Sequence, residues 1–455
     1  ASFDKFDYSF ESGYGLFTGW DTDEIHQRVF SELRVAAPEV RRLETSFAVR
    51  LPDQSEILLR VDTERFYADL RRTFPECAGE AEAFYRKINS VGAVLRRALQ
   101  RSPDFLSAST SKRASFVLRE GRIAAEILTS GKGATLDRLG GTSLRFRRFV
   151  DAQLQALAQG SCAEVPYLRA ALTLSASLGG MFAVRGGANG LANCLAESIT
   201  KSGGRIRLDT PVLRLAYDSS GAAVGVDLLS GETVKASKGV ISNLTVWETY
   251  GKLIGLNRTP PEIRKQLNAV RGWGAYLLYL ALDEEAAKRL SSDRLLALSD
   301  WQEDGAFSPE ANQLVFAAAP EWDTRAPARK RAVTVHAFTD VDDWFTFHRD
   351  ETELEVKDQE MLEQCWARLH GAMPELGSNI EVIDTATPRS FYDATRRKLG
   401  MVGGLIPAPD NFWLERPSYE TSLPNLFVVS DTAYPDGIAG LTRSALTLAD
   451  KLTGR

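Results

Sequence analysis

Cysteine and histidine are scarce in this chain of 455 residues, with four of each. Cys77, Cys162, Cys194 and Cys365 lie far apart without a CxxC pair. They read as free thiols in a reducing compartment, which excludes a disulfide framework and a thiolate metal cage. His26, His336, His348 and His370 show no HExxH spacing, so no metal site is expected. No Ser/His/Asp or Cys/His arrangement offers nucleophilic chemistry. Apolar runs are short, and none approaches the roughly 18 residues that would carry the chain across a bilayer. Internal repeats, low-complexity linkers and a charged-then-apolar leader are missing as well. The first residue is Ala rather than Met. That start implies either a removed presequence or the front of a longer chain lying upstream.

What remains is a globular composition, 44% hydrophobic and 25% charged, at a length that predicts two or three domains. The net charge of -5 hides an asymmetry. Between Arg86 and Arg148 there are fourteen Lys/Arg against four Asp/Glu. Arg96, Arg97, Arg101, Lys112 and Arg113 lie there among apolar residues at helical spacing. Such a face suits an anionic membrane surface or an acidic partner, and a plain solvated helix face is the competing reading. Nucleic acid is not expected, because the excess is local and lacks an aromatic stacking platform.

Along the chain, residues 1–20 read as an extended segment and loop, and 21–36 as a helix behind an Asp-Thr-Asp cap. Residues 47–50 and 57–61 alternate as a hairpin. Residues 63–178 carry a helical pattern that contains the basic patch. Residues 188–201 read as a helix. Strands are expected at 205–208, 211–218, 223–229 and 233–236, with a buried strand at 239–243. Further strands are expected at 275–282, 313–318, 332–339 and 380–385, and a helix at 354–372. A loop is expected from Thr387 through Gly400, Gly403 and Gly404. At the end, Leu426-Phe427-Val428-Val429 is a strand, residues 430–437 a polar hinge, and Ile438 onward a helix. That βα unit leaves Asp431 at a strand end and a helix N-terminus above it, where open α/β sheets bind ligands.

Three segments together carry a resemblance. They are Val184-Arg185-Gly186-Gly187 with the run from Gly203 to Val212, then Val240-Ile241-Ser242-Asn243, then Asn425 through Asp431. In this order they resemble the flavoprotein family of phytoene desaturases, carotenoid isomerases and related amine oxidases, over nearly the whole chain. Residues 149–154, 386–391 and 444–447 look most like the bacterial and plastid carotenoid desaturases. The resemblance implies an α/β fold with three parts. A discontinuous doubly wound FAD-binding-type domain takes residues 1–20, 180–260 and 385–455. A β-sheet substrate domain takes 40–62 and 261–384, and a basic helical cap takes 63–179. FAD is the implied cofactor, held by Val212, Asn243, Asp431, Gly437, Gly440, Leu441 and Thr442. Arg185, Gly186, Gly187 and Arg443 are expected near flavin or substrate. The implied reaction is desaturation or cis/trans isomerisation of a carotenoid-like polyene. It would take place at a peripheral membrane surface of a plastid thylakoid or a bacterial cytoplasmic membrane.

The sequence also departs from that family. No strand–GxGxxG–helix unit is present, since Gly13-x-Gly15 neither follows an apolar strand nor opens a helix. The resemblance therefore implies a βαβ unit upstream of Ala1. Ser430 stands where the family has glycine, the 435–438 turn is one residue shorter, and Arg443 replaces a small or aromatic residue. Two alternatives stay open: a flavin-free relative serving as a structural or pigment-associated subunit of an assembly, and an amine oxidase.

Overall fold

The computed structural model describes residues 2–101, 110–130, 133–269, 271–345, 351–406, 420–432 and 437–454. In chain order its strands begin with the antiparallel hairpin β1 (Ser2–Lys5) and β2 (Tyr8–Glu11), followed by β3 (Val40–Arg42), β4 (Thr45–Arg50), β5 (Glu56–Arg60) and β6 (Phe182–Val184). Next come β7 (Val212–Tyr217), β8 (Ala223–Leu228), β9 (Thr233–Lys235) and β10 (Val240–Ser242). The last six are β11 (Gly274–Asp283), β12 (Arg294–Leu298), β13 (Gln313–Ala318), β14 (Lys330–Thr339), β15 (Ile380–Ala386) and β16 (Leu426–Val428).

The main sheet has seven strands in the order β15-β11-β14-β13-β12-β4-β5. β12 runs parallel to β4, and the other neighbours are antiparallel. β11 shows why the sheet lies at the centre. Its residues are buried on both faces, and the period of two sorts them between two cores. Tyr276, Leu278, Leu280 and Leu282 pack with Met361, Cys365 and Leu369 of the helix Glu351–Ala372. Leu277, Tyr279 and Ala281 pack instead with Tyr8 and Phe10 of the β1–β2 hairpin.

The opposite end of the sheet is covered differently. Phe47, Val49, Ile57, Leu59, Leu296 and Val315 join one core with the helices between residues 63 and 179. Each fully buried Leu or Phe in these cores contributes roughly 1.5–3 kcal/mol against solvent exposure. One face of the sheet is thus shared by two coverings, the hairpin over β11 and β14 and the helical layer over β12, β4 and β5, with a seam between them.

The helical layer consists of Thr63–Thr73, Ala78–Arg101, Thr110–Glu120, Arg122–Ser130, Leu144–Ala158 and Tyr167–Gly179. Its caps are those the sequence offers. Asp62 accepts from the Arg65 backbone N–H at 3.2 Å, and Ser143 from that of Phe146 at 3.1 Å.

Four sequence expectations need correction. Residues 205–208 form no strand. Residues 387–391 begin the helix Pro388–Thr395 instead of a loop. Thr387 caps that helix and Pro388 sits in its first turn, where the missing N–H costs nothing. The helix expected over 21–36 shortens to Ile25–Glu32. The strand at 239–243 is β10, and it is not buried, since Ile241 is 52% exposed. β12 was not anticipated at all.

Candidate active site

β10 and β16 pair in parallel, with Ser242 opposite Val428. The Val429 N–H donates to the Ser242 carbonyl at 2.9 Å, carrying the ladder one step further. Past the strand ends, Thr432 accepts from the Val246 backbone N–H at 2.9 Å, and its hydroxyl lies 2.7 Å from that of Ser430. Both Ser430 and Thr432 are buried. The serine in the family's glycine position is therefore part of the lock between the two strand ends. Asn243, exposed, and Asp431, half-buried, lie just past these strand ends. The hinge residues 433–436 lie outside the described residues. The helix Gly437–Thr453 follows, carrying Gly440, Leu441, Thr442 and Arg443.

Asp431 is engaged. Arg397 donates from Nη1 to both carboxylate oxygens, at 3.0 and 3.3 Å. The same guanidinium donates to the Met401 carbonyl from Nε and to the Gly403 carbonyl from Nη2, each at 2.8 Å. A single planar cation thus ties the strand end to the 401–403 loop, a task suited to the fork geometry of arginine.

That loop forms one wall of a cavity of about 150 Å³, which lies at the seam on the main sheet. Val402 and Gly403 come from the loop, Ala275 and Phe338 from the sheet, and Tyr14 from the segment after the hairpin. Three further polar side chains line it, Ser12, His336 of β14 and Gln159. Gln159 has a φ of 65° and closes the helix Leu144–Ala158. Burial lowers the His336 pKa to about 3, opposed by a hydrogen bond with the Gly13 backbone, so the ring is neutral. Burial also pushes the Tyr14 hydroxyl far above its usual range.

The C-terminal helix start is held from the other side. His26 Nε2 lies 3.1 Å from the Thr442 hydroxyl, which also donates to the Ile438 carbonyl at 2.8 Å. His26 is packed on Trp20, with ring centroids 4.7 Å apart, and its pKa falls to about 4, chiefly through burial and also through Arg443.

The remaining predicted residues sit elsewhere or in other roles. Val212 opens β7 and is exposed. Arg185 donates to Glu39 at 2.7 Å and lies over the Trp322 ring. Gly186 and Gly187, both at positive φ, start the helix Gly187–Lys201. Carboxylates occupy that helix start. Asp323 accepts from the Gly186 N–H at 2.8 Å, Glu11 accepts from the Ala188 N–H at 2.9 Å, and Arg325 pairs with both acids. The N–H groups of this helix start are thus already taken by carboxylates of the chain, with Arg325 between them. In the basic region, Arg97 and Arg101 both bond Glu120, at 2.8 and 2.6 Å, and Arg96 donates to the Ser175 hydroxyl at 2.7 Å. The side chains of Lys112 and Arg113 lie outside the described residues.

Sequence reasoning missed Arg397, His336 and Gln159. For His336 a signal existed. In Ala332-Val333-Thr334-Val335-His336-Ala337-Phe338 the alternation places a histidine inside an otherwise apolar strand. Nothing local marks Gln159 or Arg397.

The profile of the flavin containing amine oxidoreductases matches residues 2–453, and the chain belongs to that family. Among relatives, the chloroplastic prolycopene isomerase of Arabidopsis thaliana is 22% identical over 457 residues, spanning 98% of this chain and 75% of that protein. The all-trans-retinol 13,14-reductase of Danio rerio is 24% identical over 324 residues, spanning 64% of this chain and 53% of its own length. The chain thus covers only about half of the latter protein. Putrescine oxidase bound to putrescine shares the fold at a TM-score of 0.62 and 13% identity, covering 100% of this chain and 90% of that one. An oxidoreductase from Methanosarcina mazei does so at 0.59 and 16%, covering 99% and 90%.

Membership makes the cofactor a flavin, FAD. The described residues fit its flavin half. Parallel strand ends lead into Asn243 and Asp431, and a 17-residue helix begins at Gly437. The positive end of such a helix favours charge on a reduced flavin. For the diphosphate half, no glycine-rich strand–turn–helix occurs among the described residues. Gly15 instead accepts a hydrogen bond from the buried Arg294 at 2.9 Å.

Proposed function

We propose that this protein is an FAD-dependent oxidoreductase acting on a polyene isoprenoid, changing the geometry or the hydrogenation of a carbon–carbon double bond. One observation carries the reading. The cavity tied to the strand-end site by Arg397 is walled by Ala275, Phe338, Val402 and the Tyr14 ring, and no carboxylate is among its described lining residues. An ammonium group would be left there without a counter-charge beside a neutral buried imidazole, which disfavours an amine substrate. The relatives named for prolycopene isomerisation and retinol reduction support the same substrate class.

When bound, FAD supplies a two-electron acceptor or donor. The protein's own contribution is positional. Asn243, Asp431 and residues 437–442 would hold the flavin end, and Arg397 fixes the loop between that end and the cavity.

An apolar substrate must be collected from a membrane, and we place the contact on the helical layer. No helix among the described residues is long and apolar enough to cross a membrane. Leu118, however, is 87% exposed beside Arg119 on the helix Thr110–Glu120, as in a helix lying at an interface. The chloroplastic relatives favour a plastid membrane as its location.

The test is a titration of the purified protein with FAD followed by visible absorbance. A flavin spectrum that changes on adding a cis-configured polyene, and not on adding putrescine, is expected. Peroxide production from amines would overturn the proposal in favour of an amine oxidase. Protein that acquires no flavin absorbance would favour the flavin-free relative.

A further inference from the structure

The loop that walls the cavity follows a strained path. Arg396, Leu399, Gly400 and Gly403 all have a left-handed φ. Arg396 takes it as the cap of the helix Pro388–Thr395. Leu399, at φ 51° and ψ 26°, has no such role, and its Cβ crowds the backbone there. A residue in that state persists only where its surroundings hold it. Three contacts of the loop do so. The Val402 N–H donates to the Trp273 carbonyl at 2.8 Å. Met401 packs with Trp247, Leu267 and Val341. The third contact is Arg397, which bonds the Met401 and Gly403 carbonyls and the Asp431 carboxylate at once. Of these three, only the last ends on a residue of the flavin half of the site. It is also adjustable. The Arg397 and Asp431 side chains are 25% and 32% exposed, so solvent weakens their attraction. Arg397 reaches Asp431 through Nη1 alone, and its two bonds leave about half of the carboxylate's accepting sites open.

We propose that Arg397 is a positioning residue through which the Asp431 site and the cavity are coupled, so that FAD and polyene each tighten the binding of the other. The inference rests on the FAD-dependent polyene reading and adds to it a dependence between the two ligands. At its open sites Asp431 accepts hydroxyl hydrogens, such as those of a ribityl chain, without giving up Arg397. Charge-assisted bonds of that kind fix the carboxylate. A fixed carboxylate fixes the guanidinium, and the planar guanidinium in turn fixes the Met401 and Gly403 carbonyls. Val402 and Gly403 line the cavity, so the wall holds its shape against the strain at Leu399. The same contacts run in reverse. A polyene packed against Val402 holds the loop, and the loop holds Arg397 and Asp431 in the arrangement that accepts the cofactor. Linkage requires one and the same factor in both directions.

The experiment is a binding cycle on the full chain, with oxidised FAD, no reductant and all-trans-retinol as the polyene probe. FAD affinity is read from flavin fluorescence with and without retinol, and retinol affinity from equilibrium dialysis with and without FAD. Each ligand is expected to raise the affinity for the other about fivefold or more. FAD alone should also slow hydrogen exchange at the amides of residues 401–403. In Arg397→Ala both ligands should still bind, the factor should fall to about one, and the protection should vanish. Arg397→Lys should behave alike, because one ammonium cannot hold both carbonyls and the carboxylate. Gly92→Ala, whose Cβ meets Ser175 within the helical layer, should keep the factor, which separates coupling from lost stability. Should neither Arg397 variant fold, the equal factors and the FAD-dependent protection of the unaltered protein decide. A factor of one in the unaltered protein, or an undiminished factor in Arg397→Ala, would overturn the inference and leave the polyene reading standing. Binding of putrescine with no binding of retinol would sink the polyene reading itself, and absence of FAD binding the flavin reading.

Discussion

Arg397 shows what a single side chain holds in place here. It joins Asp431 to the carbonyls of Met401 and Gly403, so the strand end and the cavity wall depend on one guanidinium. Arg397→Ala should cost about 1–3 kcal/mol in thermal unfolding and speed polyene release. Arg397→Lys should recover little of this, because a single ammonium cannot repeat the fork. A loss confined to melting temperature, with release unchanged, would separate the pair from the cavity. Asp151 makes the same point about motifs. It lies in the 149–154 segment that resembles the desaturases, yet it is almost wholly buried, accepting from the Cys162 N–H at 2.7 Å and pairing with Arg148 at 3.2 Å. Arg148 in turn donates to the carbonyls of Trp301, Gln302 and Gly305. Asp151→Ala should destabilise the fold by about 3–5 kcal/mol in denaturant melts, since it strands a buried cation. In the sequence Asp151 was visible as a motif residue. The carbonyls that hold its partner Arg148 were not, because they lie on a loop about 150 positions away.

Among elements, the crossing of the helices Ala78–Arg101 and Tyr167–Gly179 depends on Gly92. A Cβ there would run into the Ser175 hydroxyl and the Ala171 carbonyl. Gly92→Ala should therefore lower stability by about 1–3 kcal/mol despite alanine's better helix propensity, a sign that equilibrium unfolding can check. Periodicity revealed both helices but could not reveal that they touch. β4 and β5 were legible because the alternation of 47–50 and 57–61 sorts them into two environments, and β13 and β14 because they are short apolar runs of β-type residues. β12 escaped notice because Arg294 opens it, a buried cation satisfied by the Tyr14 and Gly15 carbonyls. The helix Pro388–Thr395 was misread although Thr387-Pro388 is a helix-start signal, because the glycines at 400, 403 and 404 pulled the whole stretch toward a loop reading. The pairing of β10 with β16 could be expected only from the resemblance, since a contact between residues 240 and 426 leaves no local trace.

For the whole molecule, pH is a direct probe. Burial lowers the His26 and His336 pKa values from 6.5 to about 4 and about 3. Below pH 6.5 the unfolded chain binds these protons first, so the stability from burying neutral rings is complete above that value. It is lost as the pH falls toward the folded pKa values. The melting temperature should drop between pH 7 and pH 5, and the double variant His26→Gln, His336→Gln should show a shallower drop. At the membrane, Leu118→Asp should weaken binding to anionic vesicles more than reversal of Arg97, whose charge Glu120 already meets. Equal effects would argue for simple electrostatic attraction.

The central claim is that a flavin-linked site works on a polyene held at the seam of the main sheet. It is tested most directly by incubating the FAD-supplemented protein with a cis-configured polyene and separating the products by chromatography and mass. The account predicts a product altered only in double-bond geometry or by two hydrogens, formed only when flavin is present and diminished by Arg397→Ala. An untouched polyene from flavin-loaded protein that oxidises putrescine would contradict it.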